Sequence, residues 1–346
     1  MKKIKIVDDW QSIEYDEIID VRSASEFIED HIPNSINLPV LNDSERSKVG
    51  KLYKQESRLK AKIIGASIVS KNISKFLTKD LKNKRSNWKC LIYCWRGGQR
   101  SRSLALVLNE IGYDVSILNG GYKNYRSKIV QDLKDIFDYK FIVIQGKTGS
   151  GKTKIIKELK FNKAQAIDLE NLAHHRGSLL GKINENQPSQ KSFESSLINI
   201  LKSFNKSCPI FIESESSKIG KLHLPQELWS HLRTSKRIFI NVNIRERTKF
   251  LINDYKHLIK NPILLKPFLK SINRKENNEF YTFCNGKIKQ NQWKEFVETI
   301  LINHYDPKYE FSHTKNLEKI IQTYELKKLS KKHIHELAKK IIHKIK

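Results

Sequence analysis

Residues 146–153 read Gly146-Lys147-Thr148-Gly149-Ser150-Gly151-Lys152-Thr153, which fits the pattern G-x-x-x-x-G-K-S/T. The apolar run Phe141–Gln145 precedes it and a helix-forming stretch follows, so the motif has the strand–turn–helix setting that it requires. Such a loop fixes the fold class of its domain as α/β with a parallel sheet, because the loop must leave the carboxyl end of a strand and open a helix. Backbone amides from Lys147 to Thr153 would cradle phosphates, Lys152 would add a point charge, and Thr153 would offer a hydroxyl to a Mg²⁺ ion. Further strands are predicted at 166–169, 209–212 and 237–242. After Arg245 the chain reads as mostly helical to its end. The tail 315–346 is dense in Lys and His, but Ile334, Leu337, Ile341 and Ile342 recur at helical spacing, which predicts an amphipathic helix. The strand at 209–212 runs into Glu213-Ser214-Glu215 rather than into the apolar-Asp ending of a motor NTPase. Glu213 or Glu215 is left as a candidate metal or substrate contact, and a phosphate or diphosphate binder fits as well as a nucleotide hydrolase.

A second α/β pattern lies upstream. Short apolar strands are predicted at 18–21, 91–93 and 114–118, with helices near 44–54, 61–77, 101–111 and 122–137. The boundary falls near Asp138, which gives a first domain over 1–137 and a P-loop domain with a helical C-terminal part over 138–346. Between a strand and a helix of the first domain stands Cys94-Trp95-Arg96-Gly97-Gly98-Gln99-Arg100-Ser101. A thiol placed there faces inward-pointing amides and a helix N-terminus, with Arg96 and Arg100 nearby, so Cys94 is a candidate nucleophile in an anion cradle. Gly97 and Gly98 permit the tight turn. Cys90, inside the strand, reads as structural. The Cys-x5-Arg spacing from Cys94 to Arg100 is also that of dual-specificity phosphatases, so a phosphatase stays open for this domain alone. His175 and Arg176 are candidate substrate contacts, as is Arg247, which follows a strand.

The charge balance bears on the partner. The chain has 65 Lys and Arg against 37 Asp and Glu, a formal net charge of +28 over 346 residues. That excess favours a polyanion, since neutralising phosphates releases their counterions. No run is long and apolar enough to span a membrane, and no apolar stretch follows the basic N-terminus. Four irregularly spaced cysteines suit neither a disulfide framework nor a zinc site, and a reducing cytoplasm is expected.

Asp20-Val21-Arg22, Glu26-Phe27, His31-Ile32-Pro33 and Asn119-Gly120-Gly121-Tyr122, together with the cysteine loop, resemble the rhodanese superfamily, whose members carry sulfane sulfur on this cysteine. Asp20 and Arg22 are expected to hold the fold rather than to react. The two domains in this order resemble the tRNA 2-selenouridine synthase family. The likeness runs through Glu45-Arg46, Val49-Gly50, Tyr53-Lys54, Asp168-Leu169-Glu170, His175-Arg176-Gly177-Ser178, Gln187-Pro188-Ser189-Gln190, Glu213-Ser214-Glu215-Ser216, Ile219-Gly220 and Tyr305-Asp306-Pro307. It implies a two-step transferase acting on wobble 2-thiouridine of tRNA. The sulfur would first be geranylated from geranyl diphosphate, and geranylthiol then replaced by selenium from selenophosphate. The resemblance puts the diphosphate in the P-loop and selenophosphate in the Cys94 cradle. It implies no permanently bound cofactor, and it leaves room for a Mg²⁺ ion and for a protein that supplies selenophosphate. The chain departs from the family pattern at Ser217, where Arg is usual, and at Asn34-Ser35, where Gly-Ala is common.

Overall fold

The computed structural model describes residues 3–11, 13–176, 186–214, 216–275, 278–307, 309–310 and 317–345. The chain forms two compact units. Met1–Asp132 and Ser189–Ile198 make the first, and Leu133–Pro188 with Asn199–Lys346 make the second.

The first unit is built on a five-stranded, wholly parallel sheet. Its strands are β1 (Lys5–Val7), β2 (Glu17–Asp20), β3 (Ser35–Asn37), β4 (Lys89–Tyr93) and β5 (Asp114–Leu118), in the order β1-β5-β4-β2-β3. β4 is the middle strand and reads Lys-Cys-Leu-Ile-Tyr, buried from Cys90 onward. A strand buried on both faces needs such an unbroken apolar run. Ile19 pairs with Ile92, and Ile92 with Ile117. These residues, with Leu104, Ala105 and Leu108 of the helix Gln99–Ile111, form the core. Residues 189–198 lie far along the chain, yet they complete this unit. The buried Asp30 carboxylate accepts from Tyr122 Oη and from Ser195 Oγ, both at 2.9 Å, and Arg126 pairs with Glu194. Burial pushes the Asp30 carboxyl up, although both hydroxyls pull the other way.

The second unit carries β6 (Phe141–Gln145), β7 (Ala166–Ile167), β8 (Ile210–Glu213), the short hairpin β9 (Lys218–Ile219) and β10 (Leu222–His223), β11 (Lys236–Asn241) and β12 (Ile320–Glu325). Its main sheet is parallel, in the order β12-β11-β6-β8-β7. β6 is again the middle strand, and the P-loop leaves its carboxyl end. The stretch after Arg245 is mostly helical, as expected, with a strand near its end. Ile320–Glu325 alternates half-buried and exposed positions and adds an edge strand to β11. Only the stretch Lys331–Ile345 of the tail is the predicted amphipathic helix, with Ile334, Leu337 and Ile341 buried against Ile155, Ile156 and Leu159 of the core. The predicted strand at 166–169 stops at Ile167, because Asp168 caps a helix that begins at Leu169. Among the described residues no helix is long and apolar enough to cross a membrane.

Candidate functional site

In the first unit Cys94 follows the last residue of β4 and is 3% exposed. The Gly98 amide donates to its Sγ at 3.2 Å, and Ser101 Oγ lies 3.4 Å from the same sulfur. Gly98 is the N-cap of the helix Gln99–Ile111, so the sulfur sits at the positive end of a helix dipole. The turn is shaped by close backbone approach. Gly97 has φ +66°, and a Cβ there would stand 2.7 Å from the Leu118 carbonyl oxygen. Gly121 has φ +57°, and its Cβ would fall 2.2 Å from the Cys94 carbonyl oxygen. The Tyr122 amide donates to that oxygen at 2.8 Å and the Lys123 amide to Trp95 at 3.0 Å, so the segment 120–123 fastens the loop from behind. The half-buried Trp95 ring packs on Tyr122, with centroids 5.3 Å apart.

The two arginines of this loop are used differently. Arg96 and Gln99 are exposed. Arg100 donates to Glu26 at 2.9 Å, and Arg46 stands 3.6 Å from the same carboxylate. Burial opposes the Glu26 charge, but Arg100, the Ser23 amide and Arg46 outweigh it and hold the carboxyl below its ordinary value. Asp20 and Arg22 form a bidentate pair at 0% and 1% side-chain exposure, and Arg22 also reaches the Asp30 carbonyl at 2.6 Å. The pair lies under the loop as structure, with the guanidinium 3.9 Å from the centre of the Tyr122 ring. Burial drives the Cys90 thiol far up, which keeps it protonated at neutral pH.

In the second unit the P-loop has the shape its glycines allow. Gly149 and Gly151 hold φ +81° and +76°, and a Cβ on Gly146 would meet Ser150 Oγ at 2.5 Å and the Ile240 carbonyl at 2.8 Å. Lys152 Nζ donates to the Gly146 carbonyl at 2.9 Å. Thr153 Oγ1 lies 3.0 Å from Glu170 Oε2 and 2.9 Å from Glu213 Oε2, and Glu213 also accepts from the Glu170 amide at 3.0 Å. One hydroxyl proton cannot serve two carboxylates at once. Burial pushes the Glu170 carboxyl up, Thr153 and Lys152 pull it down, and burial wins. This convergence of hard oxygens beside a phosphate loop suits a Mg²⁺ ion that completes its shell with phosphate oxygens and water. No cluster of three or more His, Cys, Asp or Glu among the described residues makes a metal site by itself.

Arg247 is not a free hand for substrate. It is 3% exposed, grips Asp306 at 2.8 and 2.7 Å, and donates to the Thr148 carbonyl at 3.2 Å. Lys147 reaches Glu310 at 2.9 Å and Asp306 at 3.5 Å. Arg247 thereby braces the P-loop. Arg176 lines the P-loop cleft, pairs with Asp254 at 3.0 Å and lies over the Tyr255 ring. His175 is half-buried, and burial pulls its imidazole pKa down. Glu215 lies outside the described residues. Sequence reading passed over Glu26, Glu170 and Asp306 as working parts. Each stood in a quoted motif, but nothing in sequence order pairs it with Arg100, Thr153 or Arg247.

A cysteine loop on a parallel sheet followed by a P-loop on another defines a rhodanese-like domain joined to a phosphate-binding one. Comparison with known proteins agrees. Residues 5–128 match the rhodanese-like domain, and residues 139–267 match the tRNA 2-selenouridine synthase AAA domain. A tRNA 2-selenouridine synthase of Shewanella halifaxensis is 30% identical over 88% of this chain and 90% of its own length. One of Nitrosomonas europaea is 36% identical over 69% of this chain, and there the chain spans 63% of the relative's length. The chain belongs to the tRNA 2-selenouridine synthase family, a family of tRNA-modifying enzymes.

Proposed function

We propose that this chain converts wobble 2-thiouridine of tRNA to 2-selenouridine through a geranylated intermediate. The observation that carries the reading is the pair of unlike anion cradles: one holds a thiol against a helix N-terminus, and the other holds a lysine and no nucleophile. In the first step the thiouridine sulfur attacks C1 of geranyl diphosphate. An S–C bond forms, the C1–O bond breaks, and diphosphate leaves with the electron pair. That leaving group needs only charge stabilisation, which the loop amides and Lys152 supply. Thr153, Glu170 and Glu213 would hold a Mg²⁺ ion, which neutralises diphosphate charge when bound.

In the second step a selenium lone pair of selenophosphate attacks C2, the C2–S bond breaks so that geranylthiol leaves, and water cleaves the Se–P bond to release phosphate. A selenium donor needs a site that binds an anion and carries a nucleophile, which assigns this step to Cys94 with Arg96, Arg100 and the Gly98 amide around it. The net charge of +28 suits a tRNA substrate.

The test is nucleoside mass spectrometry on tRNA incubated with geranyl diphosphate and selenophosphate. Cys94→Ser is expected to abolish 2-selenouridine while geranylated 2-thiouridine accumulates. Lys152→Ala is expected to lower geranylation at least about 100-fold, on the scale of removing one charge-stabilising donor. Pregeranylated tRNA should rescue Lys152→Ala and not Cys94→Ser. Loss of geranylation in a folded Cys94→Ser protein would sink the division of labour.

A further inference from the structure

The second unit holds an apolar cavity that opens off the P-loop cleft. The cleft is about 720 Å³ and of mixed character, lined by the loop, by charged side chains such as Asp168, Glu170 and Arg176, and by rings such as Trp229 and Phe250. The cavity is about 100 Å³ and walled by hydrocarbon and rings, including Leu258, Leu265, Phe268, Phe296, Val297 and Ile300. Thr148, Leu251, Tyr255 and Tyr305 line both spaces, so the cavity mouth lies at the third residue of the P-loop. A nucleotide base placed there would lose water from its ring nitrogens and amino group and find almost no partners, whereas a hydrocarbon chain loses nothing by the move.

We propose that this cavity receives the far isoprene unit of the diphosphate ester and so sets the chain length that the enzyme accepts. The inference rests on reading the P-loop as a diphosphate cradle. Size decides which part of the chain fits. An engineered apolar cavity of about 150 Å³ takes one benzene ring, so a space of about 100 Å³ that is open to the cleft has room for at most one branched five-carbon unit. A ten-carbon ester then lays its first unit in the shared mouth and its second in the cavity. A five-carbon ester stops at the mouth, and a fifteen-carbon ester has a unit left over.

The wall is also fixed relative to the loop. Phe296, Val297 and Ile300 lie on the helix Trp293–Ile300, and Tyr305 ends its π-helical continuation Leu301–Tyr305. The next residue is Asp306, which holds Arg247, and Arg247 holds the Thr148 carbonyl. The end that binds diphosphate and the end that stops the chain are therefore braced to each other, as a gauge requires.

Calorimetric titration of the full chain with inorganic diphosphate and with dimethylallyl, geranyl and farnesyl diphosphates tests this. Each buried methylene is worth about fourfold in affinity. Geranyl diphosphate should bind at least about 100-fold tighter than inorganic diphosphate, dimethylallyl diphosphate should fall between, and farnesyl diphosphate should gain nothing over geranyl. Val297→Phe, which fills the cavity, should bring geranyl down to dimethylallyl affinity, and Phe296→Ala should let farnesyl diphosphate bind tighter than geranyl. Unchanged binding of inorganic diphosphate certifies that each variant is folded; where it is lost, the wild-type series decides. If inorganic diphosphate fails to bind, or binds Lys152→Ala equally well, the P-loop reading falls. If it binds and the tails add nothing, the P-loop reading stands and the gauge is overturned. ATP binding tighter than geranyl diphosphate would assign the cavity to a base and overturn it too.

Discussion

In the first unit the chain leaves the middle strand of a parallel sheet at Tyr93, turns through Gly97 and Gly98, and enters a helix at Gln99. In the second it leaves the middle strand at Gln145, turns through Gly149 and Gly151, and enters a helix at Lys152. Both are turns that lead from a strand end into a helix N-terminus, the setting in which backbone amides favour an anion. Each is steadied by an arginine–aspartate pair, the fully buried Arg22–Asp20 in one and Arg247–Asp306, with its arginine buried and its carboxylate half-buried, in the other. The difference lies in what meets the anion. One turn carries a sulfur within reach of an amide, and the other carries an ammonium group and a hydroxyl facing two carboxylates. On the proposed division of labour, the same architecture would serve covalent chemistry where a thiol caps the strand and charge stabilisation where glycine and lysine do.

The deepest shared feature is the braces, and breaking them should have the largest effect. Asp20→Ala strands a guanidinium that is 1% exposed, and removing one partner of such a pair costs about 3–5 kcal/mol. Asp306→Ala strands Arg247 at 4% exposure, with the Thr148 carbonyl still in reach, so the loss should lie at the low end of that range, about 3 kcal/mol. Hydrogen exchange resolves the two, because global melting of a two-unit chain is not a single transition. Protection should fall in β2 and β4 for the first variant and in β6 and β11 for the second. Equal loss across both sheets in either variant would show that the braces do not act locally.

Next come the turns themselves. Gly121→Ala puts a Cβ 2.2 Å from a backbone carbonyl at φ +57°, so it should cost about 3 kcal/mol and disorder the cysteine loop. Gly98→Ala meets nothing within 4 Å and keeps the amide that faces Cys94, so it should cost less than about 1 kcal/mol. Hydrogen exchange in β4 and β5 reads the pair. Equal costs would mean that the close approach of Gly121 to the loop does not set its geometry.

These glycines show what the sequence made legible. The two loops, their flanking strands and the order of the domains follow from local pattern, since strand, turn and helix lie next to each other in the chain. Even the departure at Asn34 makes sense locally: it takes φ +63°, and Asn is the residue that tolerates a glycine's backbone there. The partners were not legible. Glu26 meets Arg100 across 74 positions, Arg247 meets Asp306 across 59, and Thr153 meets Glu213 across 60. Arg247 looked like a phosphate contact because a cation after a strand has that meaning until its counter-ion is known. Residues 189–198 join the first unit through Ser195 and Glu194, and a single polar helix face does not announce its host. The edge strand Ile320–Glu325 hid in a lysine-rich tail, where helical spacing further on outweighed a six-residue alternation.

The smallest effect separates the cradles by pH. Glu26 is held below its ordinary carboxyl value despite burial, chiefly through Arg100. A carboxyl with a lowered folded value stabilises the fold fully above its unfolded value, and that contribution is lost as pH falls through the folded value. The first unit should therefore weaken as pH drops below about 4.5, the ordinary value. Glu26 is partly solvated, so screening limits the contribution to less than about 1 kcal/mol. Glu170 runs the other way: its raised value means that the folded state favours the protonated form, and its contribution is lost as pH rises above the ordinary carboxyl range. Acidification should thus loosen the Cys94 cradle while relieving the carboxylates around Thr153. Hydrogen exchange at a series of pH values, corrected for intrinsic rates, should show protection of β4 falling in acid and that of β6 holding. Glu26→Gln should flatten the first trend and leave the second alone. If both sheets respond alike in wild type and variant, Glu26 does not tune the cysteine loop, and Arg100 must be positioned by the helix that carries it.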